Sequence, residues 1–140
     1  MAALTKAQPR TFGVDVPPQW NELVVTSGTQ VWAGGAVEVV IATGLVRPLT
    51  GDTTVAHFAG FADESVLGDG TKRVRIRTIG SITLAVTGVD SNNDAAKAVY
   101  MANDNDASLT QGTNDPQIGV VKRHESGTTC VVDFKAATVA

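Results

Sequence analysis

The sequence predicts an all-β fold: a compact antiparallel sandwich or small jelly-roll-like barrel of short strands, with an extended N-terminal arm. Three observations predict it. The 140 residues include 14 glycines but only two Trp, one Tyr and four Phe, so the core has to come from Val, Ile, Leu and Ala. Apolar and polar residues alternate with period two in several stretches, as a half-buried sheet requires. Turn-forming residues punctuate the chain at short intervals: Gly34-Gly35, Thr43-Gly44, Gly51-Asp52, Gly68-Asp69-Gly70, Asn92-Asn93, the run Asn103 to Asp106, and Ser126-Gly127. A chain of this length makes one domain and buries about 68% of its unfolded surface, so it folds without staples.

Residues 1–30 differ from the rest and are expected to form the arm, with 31–140 as a single β domain. Pro9, Pro17 and Pro18 lock φ and lack a donor N–H, which disfavours helix and central strand. Phe12, Val14, Val16 and Trp20 are spaced along this stretch and cannot build a core alone. The segment is either a frayed terminus or an arm that orders on another surface. From residue 31 the chain reads as strands. The densest apolar run, "VVIATGLV" (39–46), has strand length. "VAHFAGF" (55–61) alternates Val55, His57, Ala59 and Phe61 against Ala56, Phe58 and Gly60. "SITLAVT" (81–87) turns Ile82, Leu84 and Val86 inward and Ser81, Thr83 and Thr87 outward. "TTCVVDF" (128–134) puts Cys130, Val132 and Phe134 on one side. "DAAKAVYMA" (94–102) suits a helical turn, although Val99-Tyr100 would equally start a strand. No internal repeat is visible.

"KRVRIRTIG" (72–80) holds four of the eleven basic residues in six positions. In a strand, residues two apart share a face about 6.6 Å apart. Arg73, Arg75 and Arg77 therefore project to one side, and Val74 and Ile76 to the other. Neighbouring charges at that spacing repel by about 0.6 kcal/mol in water, which a wet face or nearby acids can absorb. If 55–63 pairs with 71–79 as a hairpin, Asp63, Glu64 and Asp69 supply those acids. The face is then either solvated or docked onto an acidic protein surface. Nucleic-acid contact is disfavoured because no aromatic interleaves the arginines, and the net charge of −3 with a pI near 5.2 lacks the usual basic excess.

Catalytic constellations are thin. His57 falls on the apolar-rich side of its strand and reads as a structural histidine. His124 sits beside Glu125 and Ser126, but adjacent strand residues point to opposite faces, which makes a poor triad. Cys130, the single cysteine, excludes an internal disulfide and reads as a buried small hydrophobe. Asp90, Asp94, Asp104 and Asp106 lie among Asn92, Asn93, Asn103 and Asn105, but the run from Asp104 lacks the Gly and closing Glu of an EF-hand and suits turns better. The reading is a non-enzymatic protein with no cofactor and no metal. The N-terminus has no apolar core like a signal peptide's, and no uncharged apolar run approaches the roughly 20 residues of a spanning helix. A soluble protein made in a cytoplasm, with no membrane contact, is expected.

Ordered short motifs carry a resemblance. "GLVRPLTGDTTVAHFAGFADE" (44–64), "KRVRIRTIGSITLAVTGV" (72–89), "KAVYMANDNDASLT" (97–110) and "IGVVKRHESGTTCVVDF" (118–134) resemble the head decoration, or capsid cement, proteins of tailed bacteriophages. The matching features include Gly44, Arg47-Pro48-Leu49-Thr50, Gly51-Asp52, Val74 to Thr78, Val86 to Val89, Lys97 to Tyr100, and Ile118-Gly119. "VWAGGAVEVV" (31–40) looks like the family's early strand, while residues 1–30 match loosely and Asp94-Ala95-Ala96 stands where a Gly precedes Lys97 in the family. The resemblance implies a virion protein on the outer surface of an icosahedral head. There it would bridge major capsid protein subunits and stabilise the expanded shell, as a dimer or trimer, without touching nucleic acid. Phe12, Val14 and Trp20 of the arm and Arg73, Arg75 and Arg77 of the basic strand are the candidate capsid or subunit contacts. The alternative is a small carbohydrate- or protein-binding β-module on a virion or cell surface.

Overall fold

The computed structural model describes residues 2–13 and 19–137. Eleven strands follow one another among them: β1 (Gln19–Val24), β2 (Gln30–Val31), β3 (Ala36–Val40), β4 (Val46–Pro48), β5 (Ala56–Ala62), β6 (Val66–Leu67), β7 (Arg73–Thr87), β8 (Ala98–Met101), β9 (Ala107–Ser108), β10 (Gln117–Ser126) and β11 (Thr129–Lys135). The only helical piece described is a 3-10 turn at Asn92–Asp94. The stretch 94–102 therefore resolves to strand β8, as its Val99-Tyr100 pair allowed.

The two basic and aliphatic stretches 72–80 and 81–87 are one strand. β7 runs for 15 residues and takes part in two different constructions. Its C-terminal half pairs antiparallel with β11 from Ile79↔Lys135 to Ala85↔Thr129, and parallel with β9 at Val86 and Thr87. The circuit β7–β11–β10–β8–β9 returns to β7 and closes a small barrel. Between sandwich and barrel, the barrel is the outcome. Closure removes the unpaired edges that an open sheet of short strands would expose. The N-terminal half of β7 instead lies in an open sheet. β1 runs along it from Val24↔Arg73 to Gln19↔Ile79, and β5 pairs at Phe61↔Arg77 and Ala62↔Ile76, followed by β3 and β4. The pairing entertained between 55–63 and 71–79 is thus present, over these two residue pairs and with β6 in the connection. β2 and β6 form a separate two-stranded pair.

Two apolar clusters correspond to the two halves. The barrel encloses Ile82, Leu84, Val86, Val99, Met101, Ile118, Val121, Cys130, Val132 and Phe134, with Phe58 and Phe61 at its end. The open sheet covers a smaller cluster of Val25, Val31, Val37, Val46, Ala59, Ala62, Val74 and Ile76.

β5 departs from the simple alternation. Val37 pairs with Gly60 and Glu38 with Phe58, so Ala59 is the extra residue of a bulge. Gly60 takes φ +122, and a Cβ there would lie 2.2 Å from the Arg77 carbonyl oxygen. The bulge sends Phe58 and Phe61 into the same cluster, ring centroids 5.7 Å apart, and turns Ala59 and Ala62 into the other. His57 consequently ends up exposed, contrary to the buried structural role expected of it. Ser81, expected outward, is buried where residues 11–13 pair with β7.

The described part of the N-terminal segment lies on its own domain. The Leu4 N–H donates to Asp104 Oδ1 at 2.9 Å, the Gln8 N–H to the Ala33 carbonyl at 2.8 Å, and the Gly13 N–H to the Ser81 carbonyl at 2.9 Å. Arg10 donates to the Gly34 carbonyl and to Asn105 Oδ1, and Asn105 Nδ2 donates to the Ala2 carbonyl. This segment crosses Gly34 so closely that a Cβ there would meet the Gln8 carbonyl oxygen at 1.7 Å. Within the stretch expected as an arm, residues 19–24 form β1 and join the main sheet.

Candidate interaction face

The face is assembled by register. Trp20 stands opposite Arg77, Glu22 opposite Arg75, and Val24 opposite Arg73. Residues directly opposed on neighbouring strands share a side of the sheet, so an aromatic and an acid are set beside the arginine row. Phe12, bridged to Ile82, arrives from the other part of the N-terminal segment and packs against the barrel core, its ring 6.1 Å from Phe134. Four of the six candidate contacts, Phe12, Trp20, Arg75 and Arg77, come together here. Arg73 lies at the end of the row, and Val14 lies outside the described residues.

The three arginines have different fates. Arg73 is exposed and donates from Nη1 to the Glu22 carbonyl at 3.3 Å. Arg75 donates from Nε and Nη2 to Asp63 Oδ2 at 3.0 and 2.7 Å, while its backbone N–H donates to Glu64 Oε2. The hydrogen bond and charge of Asp63 raise its already high pKa. Its guanidinium carbon also lies 5.3 Å from the centre of the Trp20 ring. Arg75 and Arg73 thus match the expected solvated face with acids at hand. Asp69 does not join them: its Oδ1 accepts from the Thr71 N–H, the Thr71 hydroxyl and the Lys72 N–H, which hold its pKa down at about 2.

Arg77 corrects the expectation of a wet row. It is only 9% exposed, with its guanidinium carbon 4.4 Å from the Phe12 ring centre and 5.6 Å from that of Trp20. Cation–aromatic contacts of this kind are worth about 0.5–2 kcal/mol each, more when desolvated. Polar satisfaction is poor: Nη2 reaches the Gly13 carbonyl at 3.4 Å, and the buried Nε has no hydrogen-bond partner among the described residues. A buried donor left unmet costs about 1–3 kcal/mol, and more when it is charged. The sequence argument that no aromatic interleaves the arginines also needs amending. None does along the strand, but Trp20 does so from its neighbour. The result is not an electropositive strip, because Glu22, Asp63 and Glu64 share the face.

Next to this face, a cleft of about 190 Å³ opens between Phe12, Arg10, Gly34 and Asp63. A shallower groove of about 390 Å³ on the barrel exterior is floored by Ile79, Gly80, Val120 and Phe134 and edged by Lys122 and Lys135. Among the described residues Trp20 is the one aromatic of the strongly exposed large apolar side chains, at 44%.

The sequence reading missed a polar lock in the open half. Glu38, 2% exposed, accepts from Arg47 Nε at 2.6 Å, from the Thr50 hydroxyl at 2.8 Å and from the Thr50 N–H at 3.0 Å. Its signal was a lone acid inside the apolar run "AVEVV". The lock fixes the "RPLTGD" turn. The other candidate chemistry disperses. His124 Nε2 lies 3.0 Å from the Gly127 carbonyl at a hairpin turn. Cys130 is buried in the barrel, and burial pushes its thiol up to about 11, which makes it a poor nucleophile. Asp94 accepts from the Asp90 and Ser91 N–H groups and from Lys97 Nζ, which hold its carboxyl well below the usual range. Asn103 Oδ1 accepts from the Asn105 and Asp106 N–H groups, so these residues form their own turn. Among the described residues no group of three or more His, Cys, Asp or Glu is placed to hold a metal ion, and no helix is long and apolar enough to cross a membrane. No family model, curated protein or solved structure matches the chain.

Proposed function

We propose that this chain is a structural virion protein that decorates and cements the outside of an icosahedral phage head, bridging major capsid subunits and stabilising the expanded shell. The observation that carries the proposal is the face built by Phe12, Trp20, Arg75 and Arg77. An exposed Trp flanked by ordered arginines is the composition of an interface hot spot. The order of the phage-decoration motifs along the chain supplies the identity of the partner.

The work is binding energy without a reaction. Each copy joins neighbouring subunits through an interface of about 1,200–2,000 Å². Repetition over the lattice multiplies modest contacts into a high barrier to shell opening. A dimer or trimer on a local symmetry axis is the expected assembly. The carbohydrate-binding alternative is less well served. Phe58, Phe61 and Phe134 are buried, and Trp20 is engaged by arginines rather than laid flat for a sugar ring.

The test is addition of the purified protein to expanded heads that lack it. Saturable co-sedimentation, and heads that resist heat or chelator better afterwards, are expected. Trp20→Ala is expected to weaken attachment by about tenfold or more while leaving the unfolding midpoint close to that of the parent. Heads that take up no protein would overturn the proposal.

A further inference from the structure

We infer that the groove over Gly34 and Gly35, filled here by residues 2–10 of the same chain, is a peptide-binding site that the same segment of a second copy also fills, so that neighbouring copies exchange this strap. The inference goes beyond the decoration role and supplies a contact between copies.

The groove is made by what two residues lack. A Cβ on Gly34 would run into the Gln8 carbonyl oxygen, and one on Gly35 would lie 2.9 Å from Leu4 Cδ1. An extended backbone can therefore press directly onto the chain there. The groove holds its shape through bonds that do not involve its occupant. The Gly34 N–H donates to the Ala62 carbonyl at 2.8 Å, the Ala62 N–H to the Gly35 carbonyl at 2.9 Å, and the Ala36 N–H to the Asp104 carbonyl at 3.0 Å. All three lie within the β domain, so the site is preorganised and stays formed when the strap leaves.

The strap is held differently. Residues 2–10 belong to no strand or helix, and among them only Leu4 and Arg10 are half-buried. The Leu4 N–H donates to Asp104 Oδ1, the Gln8 N–H to the Ala33 carbonyl, and Arg10 to the Gly34 carbonyl and Asn105 Oδ1, while Asn105 Nδ2 donates to the Ala2 carbonyl. These bonds and one apolar side chain are set against the ordering of nine residues, which puts the strap at the weakly held end of the molecule. It also opens as a unit. Thr11 and Gly13 are fastened separately to β7, by the Thr83 N–H to the Thr11 carbonyl and the Gly13 N–H to the Ser81 carbonyl, both at 2.9 Å. A hinge between Arg10 and Thr11 frees nine residues, which reach about 30 Å when extended.

Opening takes the Leu4 N–H from the Asp104 carboxylate and the Gln8 and Arg10 donors from the Ala33 and Gly34 carbonyls. The strap of a second copy brings the same donors at the same spacing: an N–H at the apolar Leu4, an N–H four residues on, and an arginine two residues after that. It fits the groove as the chain's own strap does, which is the logic of an exchanged element. Copies set side by side on a shell raise the local concentration of neighbouring straps and favour the exchanged form.

The experiment mixes full chain labelled with ¹³C and ¹⁵N with unlabelled full chain and reads isotope-filtered NOEs between the Leu4 methyls and Gly35. Intermolecular cross-peaks that strengthen with protein concentration are expected. Cross-peaks confined to one chain at every concentration would overturn the inference. Complementation sharpens the test. Gly34→Ala blocks the groove and keeps the strap, whereas Leu4→Ala combined with Arg10→Ala spoils the strap and keeps the groove. Neither variant alone is expected to give intermolecular peaks. Their mixture is expected to restore them, from Leu4 of the labelled Gly34→Ala chain to Gly35 of the other, and a silent mixture of two folded variants speaks against exchange. If Gly34→Ala does not fold, the parent mixture decides alone. The two proposals fail separately. Heads that take up the parent while no intermolecular peaks form remove the exchange and keep the decoration role. Intermolecular peaks without head binding do the reverse.

Discussion

Residues 80–87 of β7 stand in the wall of a closed barrel, and residues 73–79 of the same strand stand in an open sheet. The barrel half encloses the larger cluster, built from Ile, Leu, Val, Met and Phe, and each of its strands has a partner on both sides. The open half rests on small residues, mostly Val and Ala, and supplements them with polar devices: the Glu38 lock, the Arg75–Asp63 pair and the Arg77 stack. β1 pairs with β7 alone. One strand thus passes from a region that satisfies itself to one that carries exposed aromatic surface and an unmet donor. In this chain the self-sufficient core and the exposed aromatic surface are placed at opposite ends of one element.

The contrast is open to test, beginning with the largest effect. Phe134 lies where the halves meet, 4.9 Å from the Phe61 ring, and Phe134→Ala is expected to cost about 3–5 kcal/mol in urea unfolding, lost in a single transition. Two separate transitions would show that the halves fold independently, and the shared strand would then not couple them. A middle effect belongs to the open half. Glu38→Ala frees the Thr50 N–H and leaves Arg47, itself one-third exposed, to rehydrate, for an expected cost of about 2–3 kcal/mol. A cost above that of Phe134→Ala would mean that the polar lock, rather than the barrel, dominates stability.

The smallest effect is acid-dependent. Asp69 is held at about 2, below its ordinary 3.8, by three donors in the turn that leads into β7. Because its folded value is depressed, its contribution is present above about pH 4 and fades as pH falls towards 2. The stability gap between the parent and Asp69→Ala is expected to close over that window. Asp104 has the opposite sign: burial raises its pKa, so its protonated form favours the fold, and that contribution is lost as pH rises through the raised value. An Asp69 gap that persists to pH 2 would show that the turn does not rely on the carboxylate.

Much of the fold was legible locally. The alternation in 81–87 and 128–134 placed Ile82, Leu84, Val86, Cys130, Val132 and Phe134 in the core, where they are. The basic strand was legible as a strand, and its pairing with 55–63 entered only as the condition under which Asp63 and Glu64 would lie near the arginines. Less legible was the β5 bulge at Gly60, because a glycine within an apolar run announces a possible irregularity but not its direction. The join of 72–80 to 81–87 was hidden by the run through Thr78, Ile79 and Gly80, which reads like a boundary. Glu38 was passed over because a single acid in an apolar strand acquires meaning only when Arg47 and Thr50 are brought to it.

By itself the sequence determined β-character, the interior-facing residues of 81–87 and 128–134, and the side of β7 on which the arginines stand. These depend on backbone sterics and on a two-residue repeat, which act within a few residues. Only the tertiary structure decided that the sheet closes, and that Arg73, Arg75 and Arg77 part company as an exposed, an acid-paired and a buried aromatic-stacked residue. That outcome depends on which distant segment lies over each side chain. Phe12 and Trp20 reach Arg77 through strand register, and register is fixed by the hydrophobic burial of the whole chain at once.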